Sequence, residues 1–211
     1  MKNLIIVCFL TILVGVSNVS AQTFDLSKAM KENKLVLTGK SKVSASDETR
    51  HAISVNGIVW FKDVTFTEGT IEIDLRGNDK MQATFPGIIF HGLDSNTYDG
   101  VYFRPFNFQS ADPVRKIHAV QYISMPVHTW SVLRETKNGQ YEKAVTPAPG
   151  PNDWFHAKIV IKGKEINVYV NGSSTPSLTV QKLNDRTTGM FGLMCDGVEI
   201  PGDFANLVIR K

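Results

Sequence analysis

The feature that most restricts this chain is a hydrophobic period of two that recurs along most of its length. Thr70-Ile71-Glu72-Ile73-Asp74-Leu75-Arg76 alternates without a break, as do Lys158-Ile159-Val160-Ile161-Lys162 and most of Glu165-Ile166-Asn167-Val168-Tyr169-Val170. Successive side chains of a strand point to opposite faces, so each run reads as a half-buried strand. Between the runs stand pairs that accept positive φ. Asn56-Gly57 is placed to join Ile53-Ser54-Val55 to Ile58-Val59-Trp60 as a hairpin, and Asn138-Gly139 and Asn171-Gly172 recur downstream. About a dozen short strands separated by Gly, Pro, Asn and Asp favour an antiparallel sandwich or barrel over a parallel α/β sheet. Helical spacing stands out only near the start, where Asp25 is placed to cap a turn or two carrying Leu26, Ala29 and Met30 on one face. The expected class is all-β, with at most one short N-terminal helix.

The front of the chain has a different character. Met1-Lys2-Asn3 is a short basic opening, Leu4 to Val16 carries no charge, and Val19-Ser20-Ala21 places small residues at a cleavage position. Thirteen uncharged residues fall short of the roughly 20 that span a bilayer, so residues 1–21 read as an export signal. The expectation is a periplasmic, cell-surface or secreted protein, with residues 22–211 forming one domain and no transmembrane segment. Removing Lys2 lowers the formal charge from +3 to +2, and no window concentrates basic residues, which sets nucleic acid aside as a partner. Cys8 leaves with the signal and Cys195 remains alone, so burial rather than an internal disulfide must stabilise the core. The six residues Thr146 to Pro151 are the richest breaker stretch and read as a stiff loop inside the domain.

Several chemistries lack their residues. No GxxxxGK[ST] or GxGxxG follows a strand, no GxSxG elbow is present, and the five histidines show no HExxH spacing. Asp94, Asp99, Asp196 and Asp203 stand in Gly-containing loops that could hold Ca²⁺, but their spacing fits no EF-hand and turn chemistry accounts for them; no cofactor or metal is expected. Carboxylate chemistry or plain binding is left. Glu72 and Asp74 share a strand face roughly 6 to 7 Å apart, a separation suited to two-carboxylate glycoside cleavage, although Arg76 on the same face also fits a solvated charged surface. Tyr102 and Arg104 form a second same-face pair, a guanidinium fork beside a ring that can cover an apolar sugar face. His91 and Gln121 are polar groups within apolar runs. Trp130, in a loop-like segment, is a candidate stacking residue, whereas Trp154 reads as core. Asn171-Gly172-Ser173 matches a glycosylation acceptor, but the turn explains it equally well. Cys195 reads as a buried, inert thiol.

The succession Gly69-Thr70-Ile71-Glu72-Ile73-Asp74, Phe85-Pro86-Gly87-Ile88-Ile89-Phe90, Asn152-Asp153-Trp154-Phe155-His156-Ala157-Lys158-Ile159, Val168-Tyr169-Val170-Asn171-Gly172, Gly189-Met190-Phe191-Gly192-Leu193 and Gly202-Asp203-Phe204-Ala205-Asn206-Leu207 resembles the concanavalin A-like lectin/glucanase superfamily. It is most similar to the laminin G-like and bacterial 3-keto-disaccharide hydrolase-like members. The resemblance implies a jelly roll of two facing antiparallel sheets, one concave and lined with ligand-binding side chains. It places Glu72, Asp74, His91, Val120 and Gln121 toward that concavity. It departs from the family 16 glucanases, because Glu72-Ile73-Asp74-Leu75-Arg76-Gly77 lacks their second glutamate.

Three functions follow as expectations. The first is an exported protein that engages an oligo- or polysaccharide on its concave sheet through Glu72, Asp74, His91, Tyr102, Arg104, Gln121 and Trp130. The second is a glycoside hydrolase using Glu72 or Asp74 as acid or base, with His91 assisting. The third is a protein-interaction module.

Overall fold

The computed structural model of the chain describes residues 20–195 and 199–211; residues 1–19 of the expected leader and Asp196 lie outside these. The described residues form, in order, β1 (Ala21–Phe24), α1 (Leu26–Lys31), β2 (Leu35–Leu37), β3 (Lys42–Ala45), β4 (Ile53–Phe66), β5 (Gly69–Arg76), β6 (Pro86–Gly92), β7 (Asp99–Phe103), α2 (Pro113–Lys116), β8 (Val120–Ser124), α3 (Trp130–Thr136), β9 (Glu142–Lys143), β10 (Phe155–Lys162), β11 (Glu165–Val170), β12 (Leu178–Gln181), β13 (Gly189–Cys195) and β14 (Gly202–Arg210). All strand pairing is antiparallel. Sheet I runs β12-β11-β10-β5-β14, continues through the start of β4 to β3, and carries β1 on β14. Sheet II runs from β2 through the rest of β4 to β13-β6-β7-β8-β9. None of the helices described is long and apolar enough to cross a membrane.

The two sheets pack face to face because each presents one apolar row. Ile71, Ile73 and Leu75 of β5 and Phe155, Ile159 and Ile161 of β10 bury into the same core as Phe90, Val101, Phe103 and Tyr122 of sheet II. Phe155 of sheet I meets Phe103 of sheet II edge-on at 5.0 Å, which fixes the contact between layers. Each such side chain contributes about 1.5–3 kcal/mol on full burial, so the alternating runs suffice to drive the sandwich. α1 forms as its pattern predicts: Asp25 accepts from the Lys28 amide at 2.8 Å, and Leu26 and Ala29 are buried.

Two local expectations are corrected. Asn56-Gly57 is not a hairpin turn; both residues lie inside the continuous fourteen-residue β4. Gly57, at φ +91, bends that strand as it leaves sheet I for sheet II, and a Cβ there would lie 2.3 Å from Ser41 Oγ. The turn chemistry was real, but the strand uses it to change sheets. The tight hairpin instead joins β10 to β11, where Lys162 faces Glu165 and Gly163 takes φ +56. In addition to α1, the described residues form two short α-helices, α2 and α3, and two single 3₁₀ turns, Glu48–Arg50 and Pro105–Asn107; α3 holds Trp130, which therefore does not stand in a loop.

Candidate functional site

The strands of sheet II nearest its β9 edge are buried on both faces. β7 and β8 contain no exposed residue, because the sandwich core covers one face and α3 covers the other. Leu133 of α3 packs down among Trp60, Ile89, Tyr102, Ile123 and Met194 on that outer face. Tyr102 lies directly opposite Gln121 in the β7–β8 ladder and donates its hydroxyl to Gln121 Oε1 at 3.0 Å. Gly87 makes this possible on the neighbouring strand, since a Cβ there would come within 2.5 Å of Tyr102.

Arg104 completes the pair. Its Nη2 donates to both Tyr102 Oη and Gln121 Oε1, its Nη1 donates to the His118 carbonyl at 3.0 Å, and its guanidinium stacks 4.8 Å from the Tyr102 ring centre. Glu142 on β9 stands 3.4 Å from Nη1 and accepts a two-pronged bond from Arg134, at 2.9 and 2.7 Å. His118 Nδ1 lies 2.8 Å from the same carboxylate. Burial alone would raise the Glu142 carboxyl, but Arg134, His118 and Arg104 outweigh it and hold the group below its ordinary range. Burial likewise lowers Arg104 and His118, with Glu142 opposing in both.

Trp130 opens α3 behind its N-cap Thr129 and is 51% exposed, while Arg134, one turn on, covers its ring at 5.1 Å. The indole is therefore tied through Arg134 to buried Glu142, and from there to Arg104, Tyr102 and Gln121. A recess of about 100 Å³ opens on the same sheet beside Ile58, Tyr98 and Met194. Another cleft, of about 530 Å³, lies between β1, α1 and β4 and includes none of the candidate ligand-facing residues named from the sequence.

Glu72 and Asp74 do not join this surface, contrary to the expectation that they share it. They alternate with core residues Ile71, Ile73 and Leu75 and so lie on the outer face of sheet I, with the whole core between them and Tyr102. Glu72 pairs with Arg210 at 2.7 Å. Asp74 accepts from His156 Nδ1 at 2.8 Å and from Asn206 Nδ2 at 2.7 Å, with Arg50 Nη1 at 3.5 Å. The Asn206 contact depends on an irregularity: pairing of β14 with β5 slips between Ala205 and Val208, and Asn206 takes φ +53 there. Burial works to raise the Asp74 carboxyl, but His156 and Asn206 outweigh it and lower it, while the Asp74 bond raises His156.

His91 is also withdrawn. It takes φ +52 at the end of β6, is wholly buried, bonds the Thr67 carbonyl through Nε2 at 2.7 Å and stacks on Phe66. Its Nδ1 lies 3.4 Å from Asp99 Oδ2. Asp99 takes bonds from Tyr122 at 2.7 Å and Asn184 at 2.6 Å, with Arg186 at 3.1 Å, so this is a sealed internal network and not a surface for ligand. The loop expectation fails for Asp99, which opens β7, and for Asp203, which lies inside β14 and receives Arg76 through Nε and Nη2; Asp94 does stand in a turn, which it caps through the Asn96 amide. Trp154 is not simply core, because it lies under the guanidinium groups of both Arg50 and Arg76. Cys195 is buried beside Thr84.

Sequence reasoning missed Arg134, Glu142 and His156. Arg134 stands four residues after Trp130, a helical spacing visible once α3 is placed. His156 alternates with core residue Ala157, which shows its face, but nothing local reveals that Asp74 lies opposite it. Glu142 belongs to a strand of two residues, too short to have a period.

Comparison with solved structures returns the same architecture at low identity. Carbohydrate binding module CBM66 from Bacillus subtilis matches at 14% identity over 83% of this chain and 95% of its own, with a TM-score of 0.55. Porphyranase B from Zobellia galactanivorans matches at 13% over 85% and 86%, with a TM-score of 0.51. A Bacillus subtilis protein of unknown function with a galectin-like fold matches at 12% over 81% and 89%, also at 0.51. These likenesses describe a shared fold, the antiparallel jelly roll expected from the concanavalin A-like resemblance. Residues 22–210 match a family throughout, and the chain belongs to it: the 3-keto-alpha-glucoside-1,2-lyase-like domain family.

Proposed function

We propose that this protein is exported and binds a saccharide on the outer face of sheet II, with Trp130 as the ring platform. The observation that carries the reading is the half-exposed Trp130 indole held by Arg134, whose other partner is the buried Glu142. A platform tied to a buried polar lattice loses little freedom on binding, and preorganisation of that kind favours affinity. Tyr102, Arg104 and Gln121 act as the frame that holds the platform. The family and the CBM66-like fold support a carbohydrate as the ligand. Glycoside cleavage by Glu72 or Asp74 with help from His91 is supported less well, since the carboxylates lie on the outer face of sheet I while the imidazole is sealed in the interior, and Asp74 is held ionised rather than ready to donate a proton.

The test is calorimetric titration against a panel of oligosaccharides, with product analysis of the same mixtures. The expected result is saturable binding without released sugar, weakened roughly tenfold by Trp130→Ala, the loss of a stacking contact. Equal affinity in that variant, or turnover that survives it, overturns the reading. Export is checked on the protein recovered from its native cell: a mature chain beginning at Gln22 supports it, and one retaining Met1 does not.

A further inference from the structure

The outer face of sheet I takes no part in that reading, yet it is built with care. Asp74 is fixed by donors from three separate elements: His156 on β10, Asn206 on the β14 irregularity and Arg50 in the turn before β4. With Asp74 ionised, Nδ1 of His156 must carry the proton that faces it. Backbone bonds hold His156 as well, since its amide donates to Asn171 Oδ1 at 2.9 Å and its carbonyl accepts from the Asn171 amide at 2.9 Å. Nε2 is left with no partner among the described residues.

The charges on this face form two layers. The carboxylates are deep, with the side chains of Asp74 and Glu72 17% and 23% exposed, whereas their partners Arg50, His156 and Arg210 are 39–41% exposed. Exposed Lys158 adds another cation opposite Glu72. A ligand approaching this face therefore meets N–H donors and positive charge first. Trp154 keeps the guanidinium of Arg50 in place at 5.3 Å, and that of Arg76 at 4.8 Å, so part of the ordering cost is met before a ligand arrives.

We propose that the outer face of sheet I is a receptor for an oxyanion carried by a saccharide, either a uronate carboxylate or a sulfate ester, held by His156 Nε2–H, Arg50 and Arg210. That the oxyanion is borne by a saccharide rests on the carbohydrate reading above; the cationic receptor does not. Guanidinium and imidazolium donors suit planar carboxylate and sulfate oxygens alike. Capture depends on His156 being protonated. The groups facing it are Asp74 and Glu72 from β5, Asn206 and Arg210 from β14, Lys158 on its own strand, Arg50 from the turn before β4 and Asn171 after β11. Asp74 dominates among them and raises the imidazole. Affinity should strengthen as pH falls through that raised value and weaken with added salt.

The experiment follows the His156 ring resonances of the full chain by NMR while trigalacturonate, a sulfated galactan trisaccharide, maltotriose or inorganic sulfate is added. The expected result is a saturable His156 shift with one of the two acidic sugars and none with maltotriose. It should be unchanged in Trp130→Ala and roughly tenfold weaker in Arg50→Gln or Arg210→Gln, each losing one charge-assisted bond. A silent His156 with all four probes overturns the proposal, as does an equal response to maltotriose. A response to inorganic sulfate with neither acidic sugar overturns the saccharide part. If Trp130 still binds sugar while His156 stays silent, the reading of sheet II survives alone.

Discussion

The two outer faces of this sandwich handle charge in opposite ways. On sheet II, Arg104 and Glu142 are joined beneath α3 to Arg134 of that helix, and Glu142 is 2% exposed. On sheet I, Glu72, Asp74, His156, Arg50 and Arg210 pair at the surface with water within reach. Similar residue types therefore have different consequences. Buried ion pairs are costly to disrupt because the partner left behind is unsolvated, while exposed pairs contribute little to stability and leave their donors available.

That contrast can be broken most forcefully at Glu142. Glu142→Gln leaves two guanidinium groups around a neutral amide and should cost about 3–5 kcal/mol in urea denaturation. A loss below about 1 kcal/mol would mean that sheet II's lattice is no more critical than sheet I's surface. The acid limb sharpens the same point. Glu142 is lowered on folding, so its contribution is present above its unfolded value and fades as pH falls through the folded one. Glu142→Gln should flatten that part of the stability profile.

A smaller effect is expected at Asp74. His156 is raised, so its share of the pair is complete below 6.5 and is lost as pH rises through the folded value. Asp74 is lowered, so its share is complete above 3.8 and is lost as pH falls through its folded value. The pair therefore contributes fully between those limits, and Asp74→Asn should remove about 1 kcal/mol or less there while lowering the His156 titration midpoint seen by NMR. An unmoved midpoint would separate the two residues. The least effect belongs to Glu72→Gln, within about 0.5 kcal/mol by the same denaturation, since Arg210 is left solvated. A larger loss would make sheet I resemble sheet II.

Much of this architecture was legible because strand alternation is local. Residues 70–76, 158–162 and 165–170 announced both their conformation and their buried rows, and Asp25 announced α1. Tyr102 and Arg104 were legible as a pair because they share a strand face, and Gln121 as a polar group within an apolar run; that Gln121 joins the pair came only with the β7–β8 register. Misreadings arose where a local signal had two uses. Asn56-Gly57 bends a strand as readily as it closes a hairpin, and His91, polar at the end of an apolar strand, turned inward through a positive φ to reach Thr67 and Asp99.

Sequence alone determined that this chain builds strands, which side of each is apolar, and that the acidic pair shares one face, because each of these depends on neighbours one or two residues away. Only the tertiary structure decided which faces become one surface. Asp74 meets His156 82 positions later, and Arg104 meets Glu142 after 38, through strand register and helix packing. Register is an agreement between distant segments made by the shared core, so no single segment contains it.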